Sequence, residues 1–339
     1  MTYALKPETA QQIDAYIAEV KKINGASGTE RAFTVNPTVA QNLELQTQQS
    51  SHFLSTINIV RVDEQAGDKL GLGISQPIAY RTAGTREPVD PIVLDSSGYL
   101  CRKTDFDTHI SYRRLDEWAK FPNFQTLLRD AILGQIGRDR IMIGWNGTSA
   151  ADTTNRTANP LLQDVNIGWI QKLRLAAPAR VMSEAIHGTG KVRIGWTGDY
   201  VDLDALIFDL LNNLIDPWHR NAFQALGFVV VMSADLNADR LFPLVQAVNP
   251  PSEMMAADVI IRSGKAGGLP VVHVPYFPAK SLLITPLNNL SIYWQAGTRR
   301  RRIVDNPARD RIEDYQSVNE AYVIEDMGKC AFVENIQFV

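Results

Sequence analysis

The chain has 339 residues, of which 45% are hydrophobic and 21% are charged, and its formal net charge at pH 7 is −3. These values are ordinary for globular protein, and the length is enough for two or three domains, so wholesale disorder is excluded. A protein whose main task is to grip nucleic acid usually carries a basic surplus, which this chain lacks.

The first predicted element is a short helix ahead of the main body of the chain. Apolar residues at helical spacing predict a helix over residues 7–24, with Pro7 in its first turn and a stop at Asn24. Residues 25–28 read Gly-Ala-Ser-Gly and form a linker that should be exposed and easily cut by a protease. A second helical pattern covers residues 39–54.

Residues 61–112 are the unusual part of the chain, because they show strand-like alternation and no helical period. The last part should place Leu100, Phe106, Ile110 and Tyr112 on one face of a strand. A compact domain rarely contains so long an excursion unless it has a function. Enzymes use such segments as lids, whereas assembling proteins use them as arms that pack against a neighbouring subunit.

The longest helical pattern follows, over residues 121–145. Gly134 and Gly137 weaken this helix but should let another backbone approach it closely. A further helix is predicted over residues 161–175, followed by a polar hairpin at residues 187–190.

Residues 200–295 alternate between helical and strand patterns, which predicts a compact α/β domain inside an α+β chain. The C-terminal portion reverts to strands and returns to the region that precedes this domain. The predicted elements are helices at 202–216 and 234–245, and strands at 227–232, 271–274, 282–285, 318–325 and 330–338.

Cysteine usage and hydropathy favour a soluble protein made in the cytoplasm. The only cysteines, Cys101 and Cys330, favour two free thiols over a disulfide framework or a metal-binding set. No apolar run approaches the roughly 18 residues needed to span a bilayer. The N-terminus also lacks the apolar core of a secretion signal, so we expect no membrane partner.

Catalytic and metal-binding patterns are weak throughout the chain. The five histidines never fall at metal-ligand spacing, and no Gly-x-Ser-x-Gly nucleophile motif occurs. Asp105, Asp107 and His109 alternate along one strand face, which favours a solvated or inter-subunit surface over a metal site. We therefore expect no catalytic residues, no metal and no cofactor. The alternative is an α/β enzyme with a long lid loop, which would need a convergent polar pocket.

Residues 299–302 are four consecutive arginines, the one dense charge run in the chain. Such a run can contact nucleic-acid phosphates, so a nucleic-acid-binding protein stays open as a second alternative. Acidic residues follow within a dozen positions, and no aromatic stacking residues are interleaved. We therefore expect an inter-subunit ion-pair network, for which the candidates are Arg299, Arg300, Arg301, Arg302, Asp310 and Glu313.

Several segments, taken in order, make the chain resemble the major capsid protein of peduovirus-type tailed bacteriophages. The resemblance runs from the N-terminal helix to Phe338, and the order and spacing of the segments make it specific. They are residues 33–39 (FTVNPTV), 159–165 (NPLLQDV), 177–182 (APARVM), 212–218 (NNLIDPW), 253–260 (EMMAADVI) and 269–279 (LPVVHVPYFPA).

The resemblance implies an α+β chain with an HK97-like phage capsid fold, in which residues 61–112 form an extended E-loop. Its peripheral domain would consist of a long spine helix and a β-sheet. The implied parts are a scaffold-like segment (1–33), an N-terminal arm (34–60), the E-loop (61–112), the peripheral domain (113–199, with the spine helix at 121–145), the axial α/β domain (200–295) and return strands of the peripheral domain (296–339).

The resemblance also implies a function and a set of partners. Copies of the chain would form hexamers and pentamers of an icosahedral shell that encloses double-stranded DNA without sequence-specific binding. A phage scaffolding protein and protease would act during assembly in the bacterial host cytoplasm, and a portal would occupy one vertex.

Two groups of site residues follow from the same resemblance. The protease would remove the N-terminal segment near Ala32, Phe33 and Thr34. Lys69, Leu70 and Leu72, near the tip of the E-loop, are candidates for non-covalent contacts between subunits.

Overall fold

The computed structural model contains helices and sheets in two compact units, and its α+β class is as predicted. Unit 1 comprises Met1–Gly67, Tyr99–Ile141 and Ile292–Ala321, and unit 2 comprises Asp68–Gly98, Met142–Ser291 and Tyr322–Val339. The residues that the structure describes are 7–24, 28–29, 31–69, 73–74, 79, 81–83, 85, 92–93, 98–118, 124–221, 227–246 and 264–339.

The described helices are numbered here in chain order. They are α1 (Pro7–Asn24), α2 (Pro37–Gln49), α3 (His52–Thr56), α4 (Tyr112–Trp118), α5 (Phe124–Asn146), α6 (Trp169–Ala176), α7 (Leu203–Asn213), α8 (Pro217–Arg220) and α9 (Ala234–Gln246).

The described strands are numbered in the same way. They are β1 (Phe33–Thr34), β2 (Asn58–Val62), β3 (Ala66–Gly67), β4 (Gly73–Ile74), β5 (Ile92–Val93), β6 (Tyr99–Leu100), β7 (Arg102–Asp105), β8 (Thr108–Ser111), β9 (Val181–Met182), β10 (Val192–Ile194), β11 (Phe228–Met232), β12 (Lys265–Ala266), β13 (Leu269–His273), β14 (Leu282–Pro286), β15 (Leu290–Gln295), β16 (Arg300–Asn306), β17 (Arg311–Ile324), β18 (Ala331–Val333) and β19 (Ile336–Phe338).

The predicted helix over residues 39–54 is two helices, α2 and α3, separated at Ser50 and Ser51. The side chain of Asn36 caps α2 by accepting a hydrogen bond from the Thr38 N–H at 3.0 Å. At the other end, the Ser50 hydroxyl donates to the Thr47 carbonyl at 2.6 Å, and Ser51 is extended with φ −139°. Serine hydroxyls compete for backbone groups in this way, which explains why the helix stops.

A seven-stranded sheet runs in the order β1-β16-β17-β15-β2, with β7 and β8 also paired to β17. β7 and β8 are antiparallel to β17 in one register, and Phe106, which lies between them, is buried as expected. Tyr112 is also buried, but it begins α4 and is not part of the predicted strand. The expected position of Leu100 on the same face is wrong, because its side chain is 46% exposed. β6 pairs with β3 instead, and the Cys101 N–H donates to the Gln65 carbonyl, which interrupts the strand before β7.

The long helix is confirmed as α5, although residues 121–123 of the prediction lie outside the described residues. The close approach at Gly137 is made by a side chain and not by the predicted backbone, because an added Cβ would lie 2.6 Å from Ser50 Oγ. The predicted approach is wrong at Gly134, where the nearest atom would be Arg138 Nη1 at 3.9 Å. Gly144 makes a second close approach, which the sequence did not indicate, because a Cβ there would overlap the indole of Trp169.

The prediction of a helix over residues 161–175 is wrong for its first half, because only α6 is helical. Leu162 has φ +57°, and the carboxylate of Asp164 accepts from the Asn155 N–H at 2.7 Å, so this part of the chain folds as turns. The polar turn at residues 187–190 exists, with Glu184 accepting from two backbone N–H groups. The predicted hairpin is wrong, since β9 pairs with β18 and β10 pairs with β19.

Most of the predicted elements between residues 200 and 295 are present in unit 2. Asp202 caps α7 by accepting from the Ala205 N–H at 2.7 Å, and Leu206 and Leu210 on its inner face are fully buried. A six-stranded sheet runs β12-β13-β11-β14-β18-β9, with β11 parallel to β13 and antiparallel to β14. The predicted limits of the peripheral domain, the axial domain and the arms stay predictions.

Two of the three glycines in α5, Gly144 and Gly134, allow a matched test of this packing. We expect Gly144→Ala to destabilise the subunit by about 1–3 kcal/mol, because the new methyl group must displace the buried Trp169 ring. Gly134→Ala should instead stabilise it by about 0.5–1 kcal/mol through helix propensity alone. Urea unfolding of the unassembled subunit measures both changes, and equal effects of the two substitutions would contradict the packing described here.

Candidate functional site

Arg299, the first arginine of the charge run, lies inside unit 1 and is 5% exposed. Its Nη1 donates to Glu44 Oε1 at 2.5 Å. Glu44 belongs to α2, where Ala40 and Thr47 at helical spacing share its buried face. The guanidinium of Arg299 thus binds a carboxylate of its own chain at a buried position, and its expected role in a contact between subunits stays a prediction.

Arg140 on α5 joins this pair to a fourth charged group, Glu320 on β17. The Arg140 guanidinium donates to Glu44 Oε2 at 2.6 Å and, through Nε, to Glu320 Oε1 at 2.9 Å. Arg140 is 1% exposed and Glu320 is fully buried. We call Glu44, Arg140, Arg299 and Glu320 the buried charge cluster; it contains two carboxylates and two guanidinium groups.

The carboxylates of the buried charge cluster differ in their titration. Burial raises the pKa of Glu44, but Arg140 and Arg299 together outweigh it, so the pKa of Glu44 lies below its usual value. Burial also raises the pKa of Glu320, and Arg140 only partly offsets that effect. Burial likewise lowers the pKa of Arg299. Glu44, which binds both guanidinium groups, is therefore the carboxylate that holds its charge most firmly.

The other three arginines of the run differ in exposure. Arg301 is half-buried and forms two parallel hydrogen bonds to Asp314, at 3.0 Å and 2.6 Å, and its participation in a contact between subunits stays a prediction. Arg300 and Arg302 are exposed. For these two arginines, participation in a contact between subunits stays a prediction.

The acidic candidates, Asp310 and Glu313, lie at the turn between β16 and β17 and at the start of β17. Asp310 has φ +47° and is half-buried, and its carbonyl accepts from the Tyr112 N–H at 3.0 Å. Hydrogen bonds from Tyr315 and Arg311 lower the pKa of Glu313 to about 2. Both of these hydrogen bonds to Glu313 come from within the same chain.

The candidate processing residues are held against β16 rather than free. Phe33 and Thr34 form β1, paired with Arg301 and Arg300, and Ala32 is exposed. Upstream, the carbonyl of Thr29 accepts from the Ile303 N–H at 3.1 Å, and Thr29 is 3% exposed. Of the predicted linker, residues 25–27 lie outside the described residues, and Gly28 is half-buried.

The E-loop candidates fall largely outside the part of the chain that the structure describes. Lys69 is described and is half-buried, whereas Leu70 and Leu72 lie outside the described residues. Their role in contacts between subunits stays a prediction.

Sequence reasoning missed Trp196 in unit 2, whose side chain is 93% exposed. The turn that carries it is well ordered by hydrogen bonds. The Gly195 N–H donates to the Tyr200 carbonyl at 2.8 Å, and Arg193 binds Asp199 at 2.9 Å through its guanidinium. Exposure of a tryptophan depends on tertiary structure, so no sequence pattern could have signalled it.

In the described part of the chain, no group of three or more His, Cys, Asp or Glu side chains is arranged to hold a metal ion. Cys101 and Cys330 are buried and form no disulfide, and burial raises the pKa of the Cys330 thiol to about 11. Among the helices in the described ranges, none combines the length and the apolar character needed to cross a bilayer.

A family model and two related sequences place the chain in the same family. The model of the P2 family of phage major capsid proteins matches residues 12–336. The chain is 44% identical to the capsid protein of Escherichia phage P2, over 98% of this chain and 96% of that protein. It is 41% identical to the major capsid protein of Serratia phage KSP20, over 97% of each.

A solved structure agrees with these sequence matches. A chain of the satellite phage P4 procapsid, in a structure that includes the size determination (Sid) protein, aligns over 99% of both chains with a TM-score of 0.82 and 42% identity. The predicted HK97-like capsid fold is confirmed by this likeness.

The buried charge cluster generates a stability prediction. Arg140→Leu should destabilise the subunit by about 3–5 kcal/mol, because it leaves Glu44 and Glu320 buried with one guanidinium fewer. Arg138→Leu, two residues away on the exposed face of the same helix, should change stability by less than about 0.5 kcal/mol. Urea unfolding curves of both variants measure the difference, and a mild effect of Arg140→Leu would show that the cluster is dispensable.

Proposed function

The chain belongs to the P2 family of phage major capsid proteins, and we propose that its copies form the hexamers and pentamers of an icosahedral shell. Members of this family are structural components of the phage capsid, and the chain assembles with copies of itself. The shell encloses double-stranded DNA. The subunit is made in the cytoplasm of the bacterial host and assembles with the help of a scaffolding protein and protease, and a portal occupies one vertex.

Trp196 is the observation on this chain that carries the proposal of subunit contacts. A side chain of this size that is 93% exposed leaves a large apolar area in water, and tryptophan is enriched among the residues that dominate binding energy at interfaces. The ordered turn around Gly195 means that little conformational entropy is lost when a neighbour covers the ring. A second copy of the chain is the partner that a self-assembling shell supplies at every position.

The extended segment over residues 61–112 has a matching role in this proposal. Its two ends are fixed in the subunit, since β2 and β8 both belong to the seven-stranded sheet. The part between them acts as an arm that finds its partner surface on the next subunit, with Lys69, Leu70 and Leu72 among its contacts. An enzyme lid would require an active site beneath it, whereas an arm requires only a neighbouring subunit, which a self-assembling shell supplies.

The arginine run does not favour a protein that grips DNA. Arg299 and Arg301 bind carboxylates of their own chain, so two of the four arginines already have their charge paired within the subunit. The net charge of −3 also provides no general attraction to phosphate. Both observations favour a shell that encloses DNA without binding it tightly or sequence-specifically. Weak binding suits packaged DNA, because that DNA must later be released.

Assembly provides the direct test of Trp196. Co-expression with the scaffolding protein should give closed particles in electron micrographs, and Trp196→Ala should reduce their yield at least tenfold, the effect of about 1.4 kcal/mol lost per contact. Trp196→Phe is the matched control and should retain particles, because it keeps an aromatic group in the same turn. Unchanged melting temperatures would show that the variants fold. Normal particle yield for Trp196→Ala would remove this residue from the subunit interface.

Processing of the N-terminal segment is tested separately. We expect the intact mass of the subunit from mature particles to correspond to a chain that begins between Ala32 and Thr34. Subunits from particles made without the protease should keep residues 1–32. Retention of these residues in mature, DNA-filled particles would contradict the proposed cleavage.

A further inference from the structure

The candidate processing residues and the chain on both sides of them are attached to one strand, β16. Phe33 and Thr34 of the site form β1, which pairs with β16, and just downstream the Val35 N–H donates to the Arg299 carbonyl at 2.9 Å. Upstream, the Thr29 carbonyl accepts from the Ile303 N–H at 3.1 Å. The chain is thus anchored to β16 at two points: Ala32 lies between them, and Phe33 and Thr34 belong to the downstream anchor.

The downstream anchor also includes buried apolar contacts. Val35 is 4% exposed and packs in one cluster with Ile136, Trp294 and Val318, and Phe33 packs against the same cluster. Detachment of β1 from the sheet therefore breaks backbone hydrogen bonds and also exposes the apolar surface of this cluster to water. The upstream anchor is smaller, although Thr29 is itself only 3% exposed.

The hydrogen bonds on the two sides of Arg31 and Ala32 do not form one continuous ladder. The pairing of Phe33 with Arg301 and the contact of Thr29 with Ile303 are two residues out of register. Arg31 and Ala32 are exposed. A protease, however, needs the residues on both sides of the scissile bond in one extended strand, which forms hydrogen bonds with the backbone of the protease. That conformation requires at least one anchor to be released.

Resting on the proposed processing, we propose that Thr29 and residues 31–35 act as a latch on β16, so that the site is cut only when this segment detaches from the sheet. The rate of cutting then follows the population of the detached state, as it does for any site that opens locally. A change at β16 that loosens the ladder accelerates processing, and a subunit with a closed ladder keeps residues 1–32. The regulation is built into the substrate and does not depend on which protease acts.

Trypsin is a suitable probe, because it cuts after Arg31 and needs no phage protease. We expect the full-length, unassembled subunit to be cut at Arg31 at least tenfold more slowly than a synthetic peptide of residues 24–40. Mass spectrometry of the fragment that begins at Ala32 gives the rate. Val35→Ala should accelerate this cut about tenfold, since it removes roughly two buried methylene equivalents from the downstream anchor.

Val39→Ala is the matched control, because Val39 packs against the same cluster from α2 but forms no part of the paired segment. It should change the rate less than threefold. Equal rates for the subunit and the peptide would overturn the latch, and so would equal acceleration by the two substitutions, which would indicate general loosening of the core. Retention of residues 1–32 in mature particles would instead refute the proposed processing, and it would leave the trypsin rates unaffected.

Discussion

The buried charge cluster is the constraint on which the rest of unit 1 depends. Glu44, Arg140 and Glu320 come from α2, α5 and β17, and Arg299 immediately precedes β16. Four charges without access to water are tolerable only when each guanidinium meets its carboxylates, so the segments that carry them must meet in one arrangement. The cluster thus contributes uniqueness of the fold more than net stability, because an apolar core of the same shape would avoid the cost of desolvation.

The same constraint reaches the N-terminal part of the chain. Arg299 is held by Glu44, and its carbonyl accepts the hydrogen bond from Val35 that continues the pairing of β1 with β16. The residue that closes the charge cluster is therefore also the residue that anchors the end of the latch. An unpaired strand edge invites pairing with other chains, and β1 covers part of the outer edge of β16. Detachment of the latch would thus change an edge of the sheet as well as expose the processing site.

Sequence patterns predicted the elements whose burial is periodic and failed where a local polar group decided the structure. Helix α5 and the helices and strands of unit 2 follow from apolar periodicity, because one face of each is buried. The apolar residues near Leu162 imitate a helix, but Asp164 and its backbone partner fold them into turns. The split between α2 and α3 has the same origin in Ser50.

Residues of the candidate site were harder to predict, because charge and exposure in the folded chain are tertiary properties. A run of arginines normally predicts exposed side chains. The burial of Arg299 depends on its ion pair with Glu44, which lies 255 residues away in the sequence. Helical spacing places Glu44 on the inward face with Ala40 and Thr47, so a buried partner could have been inferred, but not its identity. Trp196 is the opposite case, an apolar residue left in water. A subunit that folds alone gains nothing from that exposure, whereas a subunit that tiles a shell gains a contact from each such residue.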